Sequence, residues 1–252
     1  MKNLNDYFTE RLSGKRVLIT GGSTGIGREI TLTLASMGAN CLICGRHQEQ
    51  IDETIAAAAG QASEGTVKGI ALDLSNGDEI ERLFSEVDQQ FAGLDVLINN
   101  AALAYGGIAE GSYEDISYLV QTNLTAYMAC SQEAVRRMES GGSGHILNIG
   151  SMSAEVREEG SSVYVATKAG IQGFSEAMRK EVNSRNIKVS LIEPGAVDTD
   201  MQPGSANDKQ AQLDKFEMIP AEDIAMAAMF CLAQHERCDI VRIQIRPHLQ
   251  LI

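Results

Sequence analysis

Residues 16–27 read Arg16-Val17-Leu18-Ile19-Thr20-Gly21-Gly22-Ser23-Thr24-Gly25-Ile26-Gly27, a five-residue strand pattern running into a glycine turn and then a helix. Glycines at such a turn let the backbone approach a pyrophosphate closely. The helix that follows offers free N–H donors and the positive end of its dipole. The three-residue gap between Gly21 and Gly25 differs from the G-x-G-x-x-G dinucleotide fingerprint. An ATP-type P-loop would need Gly-Lys-Ser/Thr, but Gly27 is followed by Arg28-Glu29. Residues 21–25 also satisfy G-x-S-x-G, the nucleophile elbow of esterases, which would use Ser23 with a late histidine such as His235 or His248. In those enzymes several strands precede the elbow, and here only one does. A plain turn is the third reading.

Outward from this turn, β-branched runs alternate with helical patterns. Strands are expected at 16–20, 40–44, 66–72, 96–98, 145–150, 188–192 and 240–245, and helices at 25–37, 48–59, 78–91, 112–138, 163–182 and 221–233. Strict alternation implies right-handed βαβ crossovers and a parallel sheet covered on both faces. The fold class expected is α/β, a Rossmann-type doubly wound parallel sheet of about seven strands. It forms a single domain spanning 1–252, with 1–14 an N-terminal extension and 198–220 a substrate loop. A second polar loop, 152–162, also follows a strand, and ligands of such sheets collect at the carboxyl ends of the strands.

The second strand ends Cys44-Gly45-Arg46, without the acid that accepts hydrogen bonds from the ribose of NAD. Arg46 instead favours a 2′-phosphate by charge-assisted pairing, or it is a solvated cation at a helix start. NADP(H) is therefore expected over NAD(H).

Bulk composition narrows the function. Thirty-four acids against 21 basic residues give a net charge of −13, a field that repels nucleic acid and anionic membrane. No run of about 18 uncharged apolar residues exists, and the first 15 residues lack a signal-peptide centre, so a cytoplasmic protein is expected. Five cysteines suit reduced thiols. Cys41 and Cys44 form a C-x-x-C, but inside an apolar strand with no helix start to activate a thiol. His47, His145, His235 and His248 lack metal-ligand spacing, and no metal site is expected.

Together the motifs resemble the short-chain dehydrogenase/reductase family over nearly the whole chain. Thr20-Gly21-x-x-x-Gly25-Ile26-Gly27 resembles its coenzyme turn, with Ser23 and Thr24 inside it. Asp73-Leu74 resembles the pair that contacts adenine, and Asn99-Asn100-Ala101-Ala102 resembles the family's N-N-A-G with alanine in the last place. Ser151, Tyr164 and Lys168 match the catalytic spacing, Tyr164 and Lys168 lying four apart on one helical face. Asn123 matches the asparagine supporting a proton-relay water; its nominal glycosylation sequon, Asn123-Leu124-Thr125, is discounted. Pro194-Gly195-x-Val197-x-Thr199 resembles the loop that packs on the nicotinamide carboxamide.

The resemblance implies that Tyr164 exchanges the substrate proton, with its pKa lowered by Lys168. Ser151 would bind the reacting oxygen, and Lys168 would also hold the nicotinamide ribose. Taken singly, each is also readable as an ordinary packed, solvated or capping residue. The final strand lacks the family's V-D-G-G and reads Ile243-Gln244-Ile245-Arg246-Pro247, similar to a branch of NADP-dependent 3-hydroxy-acid and serine-type dehydrogenases. The substrate expected is a ketone, secondary alcohol, or 3-oxo or 3-hydroxy acid. Arg157 either pairs with a substrate carboxylate or with Glu155, Glu158 or Glu159. The long helices resemble those that pair subunits, implying a homodimer or homotetramer. A non-catalytic NADP sensor on the same fold is the competing reading.

Overall fold

The computed structural model describes residues 4–60 and 65–250. Seven strands form a wholly parallel sheet in the order β3-β2-β1-β4-β5-β6-β7. They are β1 (Arg16–Thr20), β2 (Asn40–Gly45), β3 (Thr66–Ala71), β4 (Val96–Asn99), β5 (Gly144–Ile149), β6 (Ile187–Pro194) and β7 (Arg242–Ile245). The order reverses between β1 and β4, which opens a crevice at their carboxyl ends.

Both faces of the sheet are covered, so β1, β2 and β4 are almost continuously buried runs, while the edge strands β3 and β7 start on alternating exposed and half-buried positions. Alternate side chains of β1 serve opposite layers. Val17 and Ile19 pack with α2 (Gly25–Ser36), α3 (Gln48–Ala59) and α10 (Ala221–Leu232). Leu18 faces α4 (Gly77–Gln90), α6 (Ala126–Gly141) and α8 (Ser162–Val182). Each fully buried aliphatic side chain contributes roughly 1.5–3 kcal/mol to this sandwich. Arg16 and Asp95 pin the start of β1, with Nε and Nη2 donating to the two carboxylate oxygens at 2.9 and 2.8 Å.

Four expectations need correction. Within 1–14, residues Leu4–Leu12 form a helix, α1, whose Phe8 and Leu12 are buried in the core; this short apolar pair was masked by polar neighbours. The expected helix 112–138 is three pieces: α5 (Tyr113–Val120), a π turn (Gln121–Thr125) and α6. A π turn accommodates an extra residue in the helical ladder, and such turns mark functional sites often. The loop 152–162 carries a short helix, α7 (Ser153–Val156), and 198–220 carries α9 (Ala206–Asp214). Ser205 and Asp208 start α9 with a reciprocal capping box, a local signal that its polar composition concealed. The base of that loop closes where Asp198 and Ile219 donate to Ile219 and Ala196 carbonyls at 2.9 and 3.0 Å.

Candidate active site

The crevice at the sheet's switch point holds two adjoining hollows. The first is a cleft lined by Gly21, Ser23, Thr24, Gly25, Ile26 and Arg46. Asp73, Leu74, Asn100, Ala101 and Thr199 also line it. The second, about 610 Å³, is lined by Ser151, Tyr164, Lys168, Pro194, Gly195 and Val197. Ile26, Asn100, Ala102, Thr199 and Met201 border both, so the hollows are continuous.

The glycine turn leaves no space for side chains. Gly21 has φ +63°, and a Cβ on Gly27 would lie 2.0 Å from the Gly21 carbonyl oxygen. A Cβ on Gly25, also at positive φ, would meet Thr199 at 3.0 Å, so the turn lies against the loop after β6. Asn100 clamps the turn by donating from Nδ2 to the Thr20 and Gly21 carbonyls at 3.1 and 2.9 Å. The Thr20 hydroxyl accepts from the Asn100 and Ala101 amides at 3.0 and 3.2 Å. Thr20 and Gly27 thus support the cleft from behind rather than line it.

At the far end Arg46, exposed, donates to the Tyr118 hydroxyl at 3.3 Å, and Tyr118 donates to Asp73 Oδ2 at 2.7 Å. The Asp73 carboxyl is partly desolvated, yet backbone and side-chain hydrogen bonds from Ser75, the Tyr118 hydroxyl and the Arg46 charge hold it below its ordinary range. Tyr118 has no motif to announce it: it reaches Asp73, 45 residues earlier, only through the fold.

The second hollow gathers Ser151, Tyr164 and Lys168. Ser151 follows β5, while α8 carries the other two on one face. Ser151 Oγ accepts from the Ser153 amide at 3.1 Å and lies close enough to the Tyr164 hydroxyl to act on its acidity. Burial raises the Tyr164 pKa, opposed by the Ser151 hydroxyl and reinforced by the nearby Glu158 charge. Tyr164 therefore keeps its proton through the neutral range, without the depression by Lys168 that the resemblance implies. The reason lies in Lys168 itself, which is buried and has its pKa pushed down to about 7 by desolvation. Its Nζ sits 5.7 Å from the centre of the Tyr164 ring and donates to the Ile149 carbonyl at 3.1 Å. Tyr127, fully buried, donates to the same carbonyl at 3.2 Å.

Asn123 lies in the π turn and borders neither hollow. Its side chain is spent on residue 103, accepting from the Leu103 amide and donating to the Leu103 carbonyl, both at 2.8 Å. This pairing anchors the segment that walls the cavity, and burial removes the sequon from any modifying enzyme. Arg157 is not among the cavity's lining residues. It adopts φ +57° and donates from Nε to the Ala154 carbonyl at 3.4 Å. Glu155 pairs with Arg242. His235 and His248 do not border the cleft that contains Ser23, so the expected esterase pairing with a late histidine is not assembled. Cys41 and Cys44 are buried in β2, with thiols pushed up to about 12.

One lining residue comes from the tail. Gln250 borders the cavity and accepts from the Ala196 amide at 3.1 Å. A Cβ on Gly195 would lie 2.2 Å from the same Gln250 oxygen and 2.9 Å from Arg246 Cβ, so a side chain here would push the tail and its Gln250 contact aside.

The glycine turn, the clamp on it and the continuous hollows fit a dinucleotide, whose diphosphate needs close backbone approach. Comparison with known proteins agrees. A family model described as short chain dehydrogenase matches residues 15–210. An uncharacterized oxidoreductase of Staphylococcus aureus (strain MW2) is 30% identical over 237 residues, covering 94% of this chain and 98% of that protein. An NADP-dependent 3-hydroxy acid dehydrogenase of Schizosaccharomyces pombe is 31% identical over 246 residues, 95% of each chain. A short chain dehydrogenase from Burkholderia cenocepacia, solved in complex with NADP, superposes with a TM-score of 0.82 at 29% identity, covering 94% of this chain and 98% of that one. Sequence, fold and site place this chain in the short-chain dehydrogenase/reductase family of nicotinamide-dependent oxidoreductases acting on CH–OH/C=O groups.

Proposed function

We propose that the protein is an NADP(H)-preferring reductase that interconverts a carbonyl and a secondary alcohol, with Tyr164 as proton donor. The observation that carries this reading is the meeting of Ser151, Tyr164 and Lys168 in a cavity continuous with the glycine cleft. A sensor that only binds nucleotide has no use for that trio.

When bound, NADPH supplies the hydride, and the protein supplies orientation and electrostatics. Backbone amides at residues 21–27 and the start of α2 would hold the diphosphate. Arg46 would face the 2′-phosphate, and Asp73 and Leu74 the adenosine. Asn100, Ala101 and the loop from Pro194 through Gly195, Val197 and Thr199 would border the nicotinamide. Ser151 positions the carbonyl oxygen by hydrogen bonding, and Tyr164 delivers its proton to that oxygen. Lys168, held near neutrality by burial, becomes charged at little cost when an acceptor such as a ribose hydroxyl or the emerging phenolate comes within reach. Asn123 fixes the wall at Leu103. A positioned acid of this kind contributes about 10²- to 10⁴-fold. A homodimer or homotetramer paired through α6 and α8, in the cytoplasm, completes the proposal; light scattering on the purified protein reads the assembly.

The test is titration with NADPH and with NADH, followed by nicotinamide fluorescence, and then NADPH oxidation across a ketone panel. Tighter NADPH binding with ketone-dependent oxidation is expected. Binding of neither nucleotide would overturn the proposal.

A further inference from the structure

The carbonyl reduction proposed above leaves open what the rest of the substrate looks like, and the charges in the cavity bear on this. Beyond Ser151 and Tyr164 the walls are mainly apolar, with Met152, Val156, Met201 and Pro203 among them. Among the described residues that line it, only Glu158 and Lys168 carry charge. Lys168 is buried at the inner end and committed to the Ile149 carbonyl. Glu158 stands at the exposed end, fixed by a 2.5 Å hydrogen bond from the Ser153 hydroxyl. The helix under it, α7, is tied down in turn, because Arg242 bridges Glu155 to the fully buried Glu193. The arginine nearest in sequence, Arg157, donates to the Ala154 carbonyl outside the lining. Among the described lining residues no cation stands with Glu158 at the mouth, and its negative charge is felt as far in as Tyr164.

We infer that Glu158 selects substrates whose body carries a cationic group, such as an ammonium, and disfavours carboxylates. An anionic 3-oxo acid entering this cavity brings its charge past Glu158 with no arginine to receive it. A ketone with an apolar spacer and an ammonium end places carbonyl, spacer and cation against Tyr164, the apolar wall and Glu158 in that order. The inference rests on the reductase reading, and the experiment separates the two. Glu158 is exposed, so the effect is modest, about tenfold between opposite charges, and it weakens as salt is raised.

The probes are three ketones on one skeleton, ending in trimethylammonium, in a neutral tert-butyl group and in carboxylate. Each is measured with NADPH in the wild type, Glu158→Gln and Glu158→Lys. The readout is the ratio of kcat/KM for the ammonium and carboxylate ketones within each protein, so any change in Tyr164 acidity cancels. The wild type should favour the ammonium about tenfold, Glu158→Gln should bring the ratio near one, and Glu158→Lys should invert it. Turnover with a wild-type ratio at or below one, or a ratio that Glu158→Lys leaves unmoved, overturns the inference and leaves the reductase standing. Absence of NADPH oxidation with all three ketones takes down the reductase reading and the inference with it.

Discussion

Lys168 spans from α8 to the end of β5 and donates to the Ile149 carbonyl at 3.1 Å, with its ammonium sealed from water. Burial sets its pKa at about 7 in the folded protein, against 10.5 for an unperturbed lysine. The unfolded chain therefore binds more protons than the folded one between these values, and stability rises with pH across that window. Below pH 7 both states are protonated and the penalty is constant. Lys168→Met should raise stability at pH 7 by on the order of 2 kcal/mol and flatten the rise toward pH 10. The same variant should lose reductase activity by at least about 10²-fold. Urea unfolding at several pH values checks the first part; a variant less stable than wild type at pH 7 would show that the lysine's hydrogen bond outweighs its desolvation.

Tyr118 links Arg46 to Asp73 through hydrogen bonds of 3.3 and 2.7 Å. Tyr118→Phe keeps the ring and removes the link, so the preference for NADPH over NADH should fall several-fold. Arg46→Ala should reduce it roughly tenfold or more, because charge-assisted pairing with a phosphate is lost. Fluorescence titrations with each nucleotide give both ratios. Unchanged ratios in Arg46→Ala would place the 2′-phosphate elsewhere.

Gly27→Ala forces a Cβ to within 2.0 Å of the Gly21 carbonyl and 2.4 Å of Asn100 Nδ2. Neither partner can retreat without opening the clamp that Asn100 makes on the turn. A lower melting temperature and nucleotide affinity reduced by more than tenfold are expected, the affinity read by calorimetry below the melting transition. Wild-type affinity would mean that the turn tolerates a rearrangement at no cost.

His145 is buried in β5 beside the Ser190 hydroxyl at 2.8 Å, and burial, helped by the Lys188 charge, pushes its pKa down to about 3. Between pH 6.5 and 3 the unfolded chain binds the extra proton, so stability present above pH 6.5 drains away as pH falls through this range. At pH 5 the loss from this histidine is ~2 kcal/mol. His145→Gln should remove that part of the acid slope even if it lowers stability at pH 7.5. Denaturant midpoints at pH 7.5 and 5 for both proteins decide the matter; parallel declines would assign the slope to other groups.

What the sequence shows of this protein follows the range over which each signal acts. The glycine turn, the strand runs and the Ser151, Tyr164 and Lys168 spacing are local patterns, readable because strand, turn and helix each impose a short period. Arg46 is legible because it directly follows β2, two residues after the last buried position, Cys44. Tyr118 and Gln250 are not, since each gains its partner through crossovers, Asp73 from 45 residues away and Ala196 from 54. The break at 121–125 is hidden because a π turn carries no sequence period of its own, and only the buried Asn123 and its bonds to Leu103 reveal a purpose. The direction of Arg157 is not legible, because a position between strand and helix says nothing about where a side chain goes; here its Nε donates to the Ala154 carbonyl.

The central claim is that Tyr164 supplies the proton in a nicotinamide-dependent carbonyl reduction. It is tested most directly by single-turnover NADPH oxidation in the wild type and in Tyr164→Phe, alongside NADPH affinity for each. The expected result is a loss of about 10²- to 10⁴-fold in the rate of oxidation with nucleotide affinity unchanged. A Tyr164→Phe protein that oxidises NADPH at the wild-type rate would contradict it.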